Sequence, residues 1–332
     1  MAGGAVSIQI GYVGLSGMGG TMARNLAKYR ATHVHNSPPV LVWNRSSAKG
    51  QKLLAELGAD KIRVTESLDQ VATECDIIFT SLTNDEAVKS VYQQFVATLK
   101  NAPPQRKKIF VESSTTFPTL AGELETLISS APHCRLITCP VFGTPPVAEA
   151  AQLIIVMSGD HQSKQEVAPI LVPAVGRKVI DLGESLEKAP TFKLIGNSMI
   201  LGILEILTES YTLAEKAGIA ASDVHGFVQD MFPAPGMIRY SERISQDNFD
   251  GSAGFSVDGG IKDAHIRRLT AIHNSPMPCI DIAHQHLITA RAIHRSKVQL
   301  GKETVEVLDW SSLVTGARAA AGLDVFASAR DA

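Results

Sequence analysis

Along the first half of the chain, short apolar runs alternate with longer segments whose apolar residues recur every three or four positions. The runs "SIQIGYV" (7–13), "VLVW" (40–43), "DIIFTS" (76–81), "KIFVE" (108–112), "RLITC" (135–139) and "LIIVMS" (153–158) predict β-strands. Each is bounded by Gly, Pro, Asn or Asp. Between them, residues 18–30, 46–57, 85–99 and 118–130 predict amphipathic helices. Strands that are apolar on both faces and alternate with helices predict a mostly parallel, doubly wound α/β sheet, covered on both sides. The pattern changes near Lys188. From there to Gly218 the periodicity predicts one long helix, with Pro190 suited to its first turn and Gly218 to its stop. Beyond it, 222–232, 260–274, 279–300 and 309–321 are helix-like, around a loop rich in Gly, Ser and Asp at 245–254. The expected organisation is an α/β domain over 1–188 and an all-helical domain over 189–332, joined by the long helix.

Composition adds mainly exclusions. With 332 residues, 45% hydrophobic and 19% charged, the chain suits two globular domains. A net charge of −2 points to neither nucleic acid nor a membrane surface as partner. Apolar stretches such as "DIIFTSL" and "SMILGILEIL" fall short of the roughly 20 residues that span a bilayer. The opening "MAGGAVSIQIGYVG" lacks a basic region and reads straight into a strand, so no secretory signal is expected. The four cysteines show no CxxC spacing, which predicts reduced thiols and a cytoplasmic location. His284 and His286 are two apart on a predicted helix and so on different faces, which predicts scattered surface histidines and no metal site.

The first strand runs into "GLSGMG" (14–19), close to a dinucleotide-binding glycine turn but with Ser16 in place of its second glycine. The turn opens a helix, where backbone N–H groups and the helix dipole would face a pyrophosphate. By itself the motif equally fits a tight strand-to-helix turn. The end of the second strand adds independent weight. There Asn44, Arg45 and Ser46 stand where an NAD-binding protein usually places an acid on the ribose hydroxyls. Arg45 offers a fork for a 2′-phosphate, Ser46 a hydroxyl and Lys49 a further positive charge. The expectation is NADP(H) in preference to NAD(H).

These segments resemble, in order along most of the chain, the β-hydroxyacid dehydrogenase family, which includes 3-hydroxyisobutyrate dehydrogenases and glyoxylate/succinic semialdehyde reductases. The resemblance lies in "IGYVGLSGMGGTMARNL" (10–26), "SLTNDEAVKSVY" (81–92), "ESSTTFP" (112–118), "CPVFGTPPVAEAAQL" (139–153), "FKLIGN" (192–197), "FSVDGGIKD" (255–263) and "DWSS" (309–312). It implies a Rossmann domain, a long interdomain helix and a helical domain that commonly dimerises. It also implies cofactor contacts from Gly14, Leu15, Ser16, Gly17, Met18 and Gly19, and from Leu82, Thr83, Asn84 and Val88. Lys262 resembles the family lysine that reaches the cofactor, and a surface lysine reads equally well there.

Reducing a carbonyl by hydride creates an alkoxide that needs a proton, and a cationic lysine can stabilise and then protonate it. By resemblance that lysine is Lys193, and Asn197 lies four residues on, able to face the same side of a helix. Ser114 and Thr115 follow a predicted strand's carboxyl end, and read either as substrate contacts or as a helix cap. The family's Pro-Val-Ser-Gly-Gly substrate loop is here Phe142, Gly143 and Thr144 after Pro-Val, followed by two prolines. A ring at Phe142 either faces the substrate, favouring bulkier and less polar carbonyls, or packs inward as core. The expected activity is an NADP-dependent hydroxyacid dehydrogenase or aldehyde reductase on a small-molecule substrate. Imine reductases share the implied architecture but typically carry Asp or Tyr at the lysine position. A non-catalytic nucleotide-binding protein would be expected to have lost the lysine.

Overall fold

The structure is a computed structural model of the chain and describes residues 8–252, 254–302 and 305–327. Ser7 of the first predicted strand, and the opening residues read for a signal, lie outside the described residues. The chain divides into two compact units, Met1–Lys193 and Leu194–Ala332.

The first unit runs β1 (Ile10–Val13), α1 (Gly17–His33), β2 (Val40–Trp43), α2 (Ser47–Leu57), β3 (Ile62–Val64), α3 (Leu68–Glu74), β4 (Ile77–Thr80) and α4 (Asp85–Asn101). It continues through β5 (Lys108–Glu112), α5 (Pro118–Ser129), β6 (Cys134–Thr138), β7 (Val141–Phe142), α6 (Pro145–Glu149), β8 (Leu153–Gly159), α7 (His161–Leu171) and β9 (Gly176–Asp181). The strand order is β3-β2-β1-β4-β5-β6-β8-β7, with β9 beside β8. Pairing is parallel from β3 through β6. It turns antiparallel where β8 meets β6 and β7, then parallel again at β9.

Each central strand sends alternate side chains to opposite faces. Ile10, Tyr12 and Phe79 enter one core with Met22 and Leu26 of α1. Val13, Ile78 and Phe110 enter the other with Tyr92 and Phe95 of α4. Fully burying each such side chain contributes about 1.5–3 kcal/mol. The six strands expected from apolar runs are present. The sequence misses β3, β7 and β9, because β3 and β7 are very short and β9 ("GRKVID") is a partly exposed edge carrying Arg177 and Lys178.

In the second unit, α8 (Lys188–Lys216), which starts in the first, is followed by α9 (Ala221–Met231), α10 (Pro235–Ser245), α11 (Val257–Asp263), a 3-10 turn (Ala264–Arg267) and α12 (Arg268–His273). Next come α13 (Pro278–Gln299), a second 3-10 turn (Trp310–Leu313) and α14 (Val314–Ala321). The single helix expected over 260–274 is thus three pieces, starting earlier because Ser256 caps α11 through the Gly259 N–H at 3.1 Å. Polar groups pin this unit. Asp309 accepts from Ser311 N–H at 2.9 Å and Phe255 N–H at 3.2 Å. Buried Arg318 donates to Asp247 at 2.8 Å.

By length and composition α8 passes as a candidate membrane span, a test that core helices also pass, so the expectation of no spanning stretch is not overturned. Leu194, Leu201, Leu204, Leu207 and Tyr211 on it are buried in the protein, as in a core helix. One expectation needs correction here: the histidines of α13 are not scattered surface groups. His284 is buried, and burial pushes its pKa down to about 4. His286 Nδ1 lies 2.8 Å from the buried Glu205 carboxylate.

Candidate active site

Strand order reverses between β1 and β4, and in such sheets ligands bind outside the carboxyl ends of the strands flanking that point. The glycine turn leaves β1 there, and Leu82, Thr83 and Asn84 leave β4. Gly14 has φ +96°, and a Cβ on it would lie 2.1 Å from the Ser81 carbonyl oxygen. A Cβ on Gly19 would lie 2.2 Å from the Gly14 carbonyl oxygen, so this glycine lets helix and turn close on each other. Ser16 is the N-cap of α1, yet its side chain caps nothing, and the first turn holds no acidic residue. Beside it Gly17 is exposed, with open space where a Cβ would stand. The α1 amides are therefore positioned for an anion, and serine at position 16 does not obstruct them. These residues fit a dinucleotide pyrophosphate.

Asn44 has a task the sequence did not suggest. Its Oδ1 accepts from the Leu15 N–H at 2.9 Å and its Nδ2 donates to the Ser46 carbonyl at 3.0 Å, so it latches the glycine turn to the end of β2. Arg45, Ser46 and Lys49 are exposed at the start of α2, whose first turn has no acidic residue. A groove of about 270 Å³ between α1 and α2 is lined by Gly17, Gly20, Thr21, Arg24, Lys49 and Lys52 among others. The basic start of α2 is therefore continuous with the glycine turn. Lys52 and Arg24 were missed in the sequence because each reads as an ordinary helix-surface cation.

Past β4, Asn84 caps α4 by accepting from the Ala87 N–H at 2.9 Å, and Thr83 is exposed. Val88 has no accessible surface and belongs to the core behind this loop, which corrects its expected place as a cofactor contact. Ser114, at the end of β5, accepts the Leu82 N–H on Oγ at 2.8 Å and so ties two strand ends together. Thr115 beside it is half-buried. Beneath them Glu112 is buried, accepting from the Ser114 N–H and the Thr80 hydroxyl, both at 2.6 Å. Burial pushes the Glu112 pKa up, and the hydroxyls and amide that bond it only partly offset this. Thr80 in turn lies 3.1 Å from the Tyr92 hydroxyl.

Phe142 ends β7, Gly143 follows, and Thr144 is the N-cap of α6, whose first residues are Pro145 and Pro146. Phe142 is neither core nor free wall. Its ring stands edge-to-face with Phe192 at 6.0 Å, and the Lys193 Nζ sits 4.4 Å from its centroid.

In the helical unit, Asn197 is buried on α8, one turn after Lys193 on the same helix. Its Nδ2 donates to Asp263 Oδ2 at 2.6 Å, and Lys262 Nζ lies 3.1 Å from Asp263 Oδ1. The structure thus groups the expected residues into the strand-end set, the Phe142–Lys193 set and the Asn197–Lys262 set. Asp263 is a further residue the sequence reading missed. It ends the "FSVDGGIKD" segment, but only its contact with Asn197, 66 residues away, gives it meaning. Among the described residues no group of three or more His, Cys, Asp or Glu is arranged to hold a metal.

Residues 9–183 match the family described as the NAD binding domain of 6-phosphogluconate dehydrogenase. An NADH-dependent oxidoreductase of Aspergillus ustus is 28% identical over 273 residues, covering 81% of this chain and 88% of that protein. The mitochondrial 3-hydroxyisobutyrate dehydrogenase of Drosophila melanogaster is 29% identical over 288 residues, covering 83% of this chain and 82% of its own. Among solved structures, 3-hydroxyisobutyrate dehydrogenase of Mycobacterium tuberculosis with L-serine shares the fold, with TM-score 0.73 and 24% identity over 94% of this chain and all of that one.

Proposed function

This chain belongs to the β-hydroxyacid dehydrogenase family, with a pyridine-nucleotide-binding domain of the 6-phosphogluconate dehydrogenase type, and we propose that it interconverts a small aldehyde or keto acid and its hydroxy acid using NADP(H). The observation that carries this reading is a lysine and a buried asparagine one turn apart on α8, with the asparagine amide held by Asp263. The bound nicotinamide supplies or accepts the hydride. In the reductive direction the Lys193 ammonium meets the carbonyl oxygen, stabilises the developing alkoxide and gives it a proton. In the oxidative direction the neutral amine takes that proton back. Asn197 is held through its Nδ2 by Asp263, which fixes the orientation of its amide one turn along α8 from the lysine. Ser114 and Thr115 are assigned to the substrate's polar end, and Phe142 and Phe192 favour bulkier, less polar carbonyls over glyoxylate.

Lys193→Ala tests the chemistry. Turnover is expected to fall by about 10²–10⁴-fold with cofactor still bound, as for loss of a general acid. Wild-type kcat in that variant would refute the assignment. The substrate arms are glyoxylate, succinic semialdehyde and a cyclic imine, and fastest turnover of the imine would select the imine-reductase reading.

Preference for NADP(H) rests on Arg45, Ser46 and Lys49 at an α2 start without an acid. Arg45→Ala should weaken NADPH far more than NADH in fluorescence titrations. Tighter NADH binding by the wild type, the cofactor named for the A. ustus relative, would reverse the assignment.

A homodimer through the helical unit is also proposed. Met199, Ile206 and Leu213 are exposed at seven-residue spacing, on the side of α8 roughly opposite Lys193 and Asn197. Phe227, Met231 and Phe232 of the same unit are exposed as well. Ile206→Glu with Leu213→Lys should yield monomers by light scattering, and an unchanged mass would exclude this face. Cys75, Cys134 and Cys139 are buried free thiols, consistent with a cytoplasmic enzyme.

A further inference from the structure

We propose that Phe142 is a positioning residue that seats the Lys193 ammonium on its ring face. The inference rests on the reading of Lys193 as the proton-transferring group. An ammonium within about 6 Å of a ring centroid is attracted by the negative face of the aromatic quadrupole. The Lys193 Nζ stands 4.4 Å from the Phe142 centroid, well inside that range.

The ring is itself held in place. Phe142 pairs with Ile154 across the β7–β8 ladder, so its backbone belongs to the sheet. At Gly143 the chain turns away with φ +149°, and a Cβ there would lie 2.4 Å from Leu153 Cδ2. Pro145 and Pro146 then open α6. Phe192, immediately before the lysine, meets the Phe142 ring edge-on at 85°, so it braces the ring. A lysine side chain otherwise spreads over many rotamers. A fixed cationic seat confines it before substrate arrives, and less ordering is then required at the moment of reaction. Serine, the residue of the resembling families at this position, offers a hydroxyl and no such face. The substitution therefore converts a substrate-binding position into a support for the catalytic lysine.

A double-mutant cycle between Phe142→Leu and Lys193→Ala reads the coupling. The rate is single-turnover hydride transfer from saturating NADPH to succinic semialdehyde, or to butanal where that is faster. Phe142→Leu should slow it about two- to five-fold in the wild-type background, the range of a cation–π contact at a partly exposed site. On the Lys193→Ala background the loss should be smaller, leaving only the part due to substrate contact, and Phe142→Tyr should keep the coupling to Lys193. An equal loss on both backgrounds makes Phe142 a plain wall and overturns the proposal. A second reading needs no activity. In protein carrying lysine labelled at Cε, the Lys193 methylene should be ring-current shifted in the wild type and Phe142→Tyr, and unshifted in Phe142→Leu. An unshifted wild-type signal overturns the seat. A Lys193→Ala enzyme with full turnover, by contrast, overturns the catalytic reading while leaving the shift to report the contact. Thermal melting of each variant identifies any that fail to fold, and for these the tyrosine variant carries the comparison.

Discussion

Asp263 receives the Asn197 amide at 2.6 Å, joining α11 to α8 inside the helical unit, and both side chains are buried. A buried carboxylate that accepts one amide and neighbours one ammonium at 3.1 Å fixes which end of Asn197 is donor and which is acceptor. Asp263→Ala should therefore act twice. Loss of a charged hydrogen bond in a buried site should cost about 1–3 kcal/mol in urea unfolding. Turnover should fall with little change in cofactor affinity, because the asparagine one helical turn from Lys193, the proposed proton-transferring group, loses its orientation. Wild-type kcat in a folded Asp263→Ala enzyme would remove Asp263 from the site.

The glycine turn separates strained from merely exposed positions. Gly19→Ala puts a methyl 2.2 Å from a backbone oxygen, so the turn has to open. Loss of nucleotide binding is expected, along with a lower Tm. Gly17→Ala meets nothing within 4 Å, and its φ of +30° costs only local backbone strain. Ser16→Gly should be near neutral, since the serine side chain caps nothing. Calorimetric titration of the three variants with NADPH orders them. Equal losses would mean that the turn tolerates no change and that its geometry does not discriminate.

Glu112 gives a pH signature. Burial raises its pKa in the folded chain above the unfolded value, so as pH rises the unfolded chain releases this proton first. Its contribution is fully present below the ordinary glutamate pKa of about 4.3 and declines from there up through the raised folded pKa. Glu112→Gln keeps the size and an acceptor for the Ser114 N–H but cannot ionise. The variant's Tm relative to wild type should climb as pH increases across that window. A difference independent of pH would show that the folded carboxyl titrates normally.

His286 points to the same pH direction through a different cause. Its hydrogen-bonded contact with Glu205 raises the folded pKa, against an opposing burial effect. Stability from the pair is then complete below the unfolded histidine pKa of about 6.5 and disappears as pH rises through the raised folded value. Comparing His286→Gln with wild type by denaturant unfolding from pH 5 to pH 9 should show a gap that closes on the alkaline side. A gap that widens there would contradict the pairing.

The sequence by itself determined what local periodicity and backbone chemistry encode. Apolar runs such as "VLVW" made the central strands, because both faces of a parallel strand must be buried. The glycines after β1 marked the turn, and the spacing of Lys193 and Asn197 placed both on one side of one helix. Only the tertiary structure decided which groups from distant segments meet. Asn197 and Asp263 are 66 residues apart, and Phe142 and Lys193 come together only because β7 and the start of α8 are neighbours in space. Val88 shows the same limit from the other side, since its place in the cofactor loop's helix does not tell that α4 turns it into the core. Burial of His284 and Glu205 was likewise invisible, because a polar residue on a helix reads as solvated until another element covers it. Periodicity is a property of neighbours along the chain, whereas burial, pairing and charge depend on what the rest of the fold brings against each side chain.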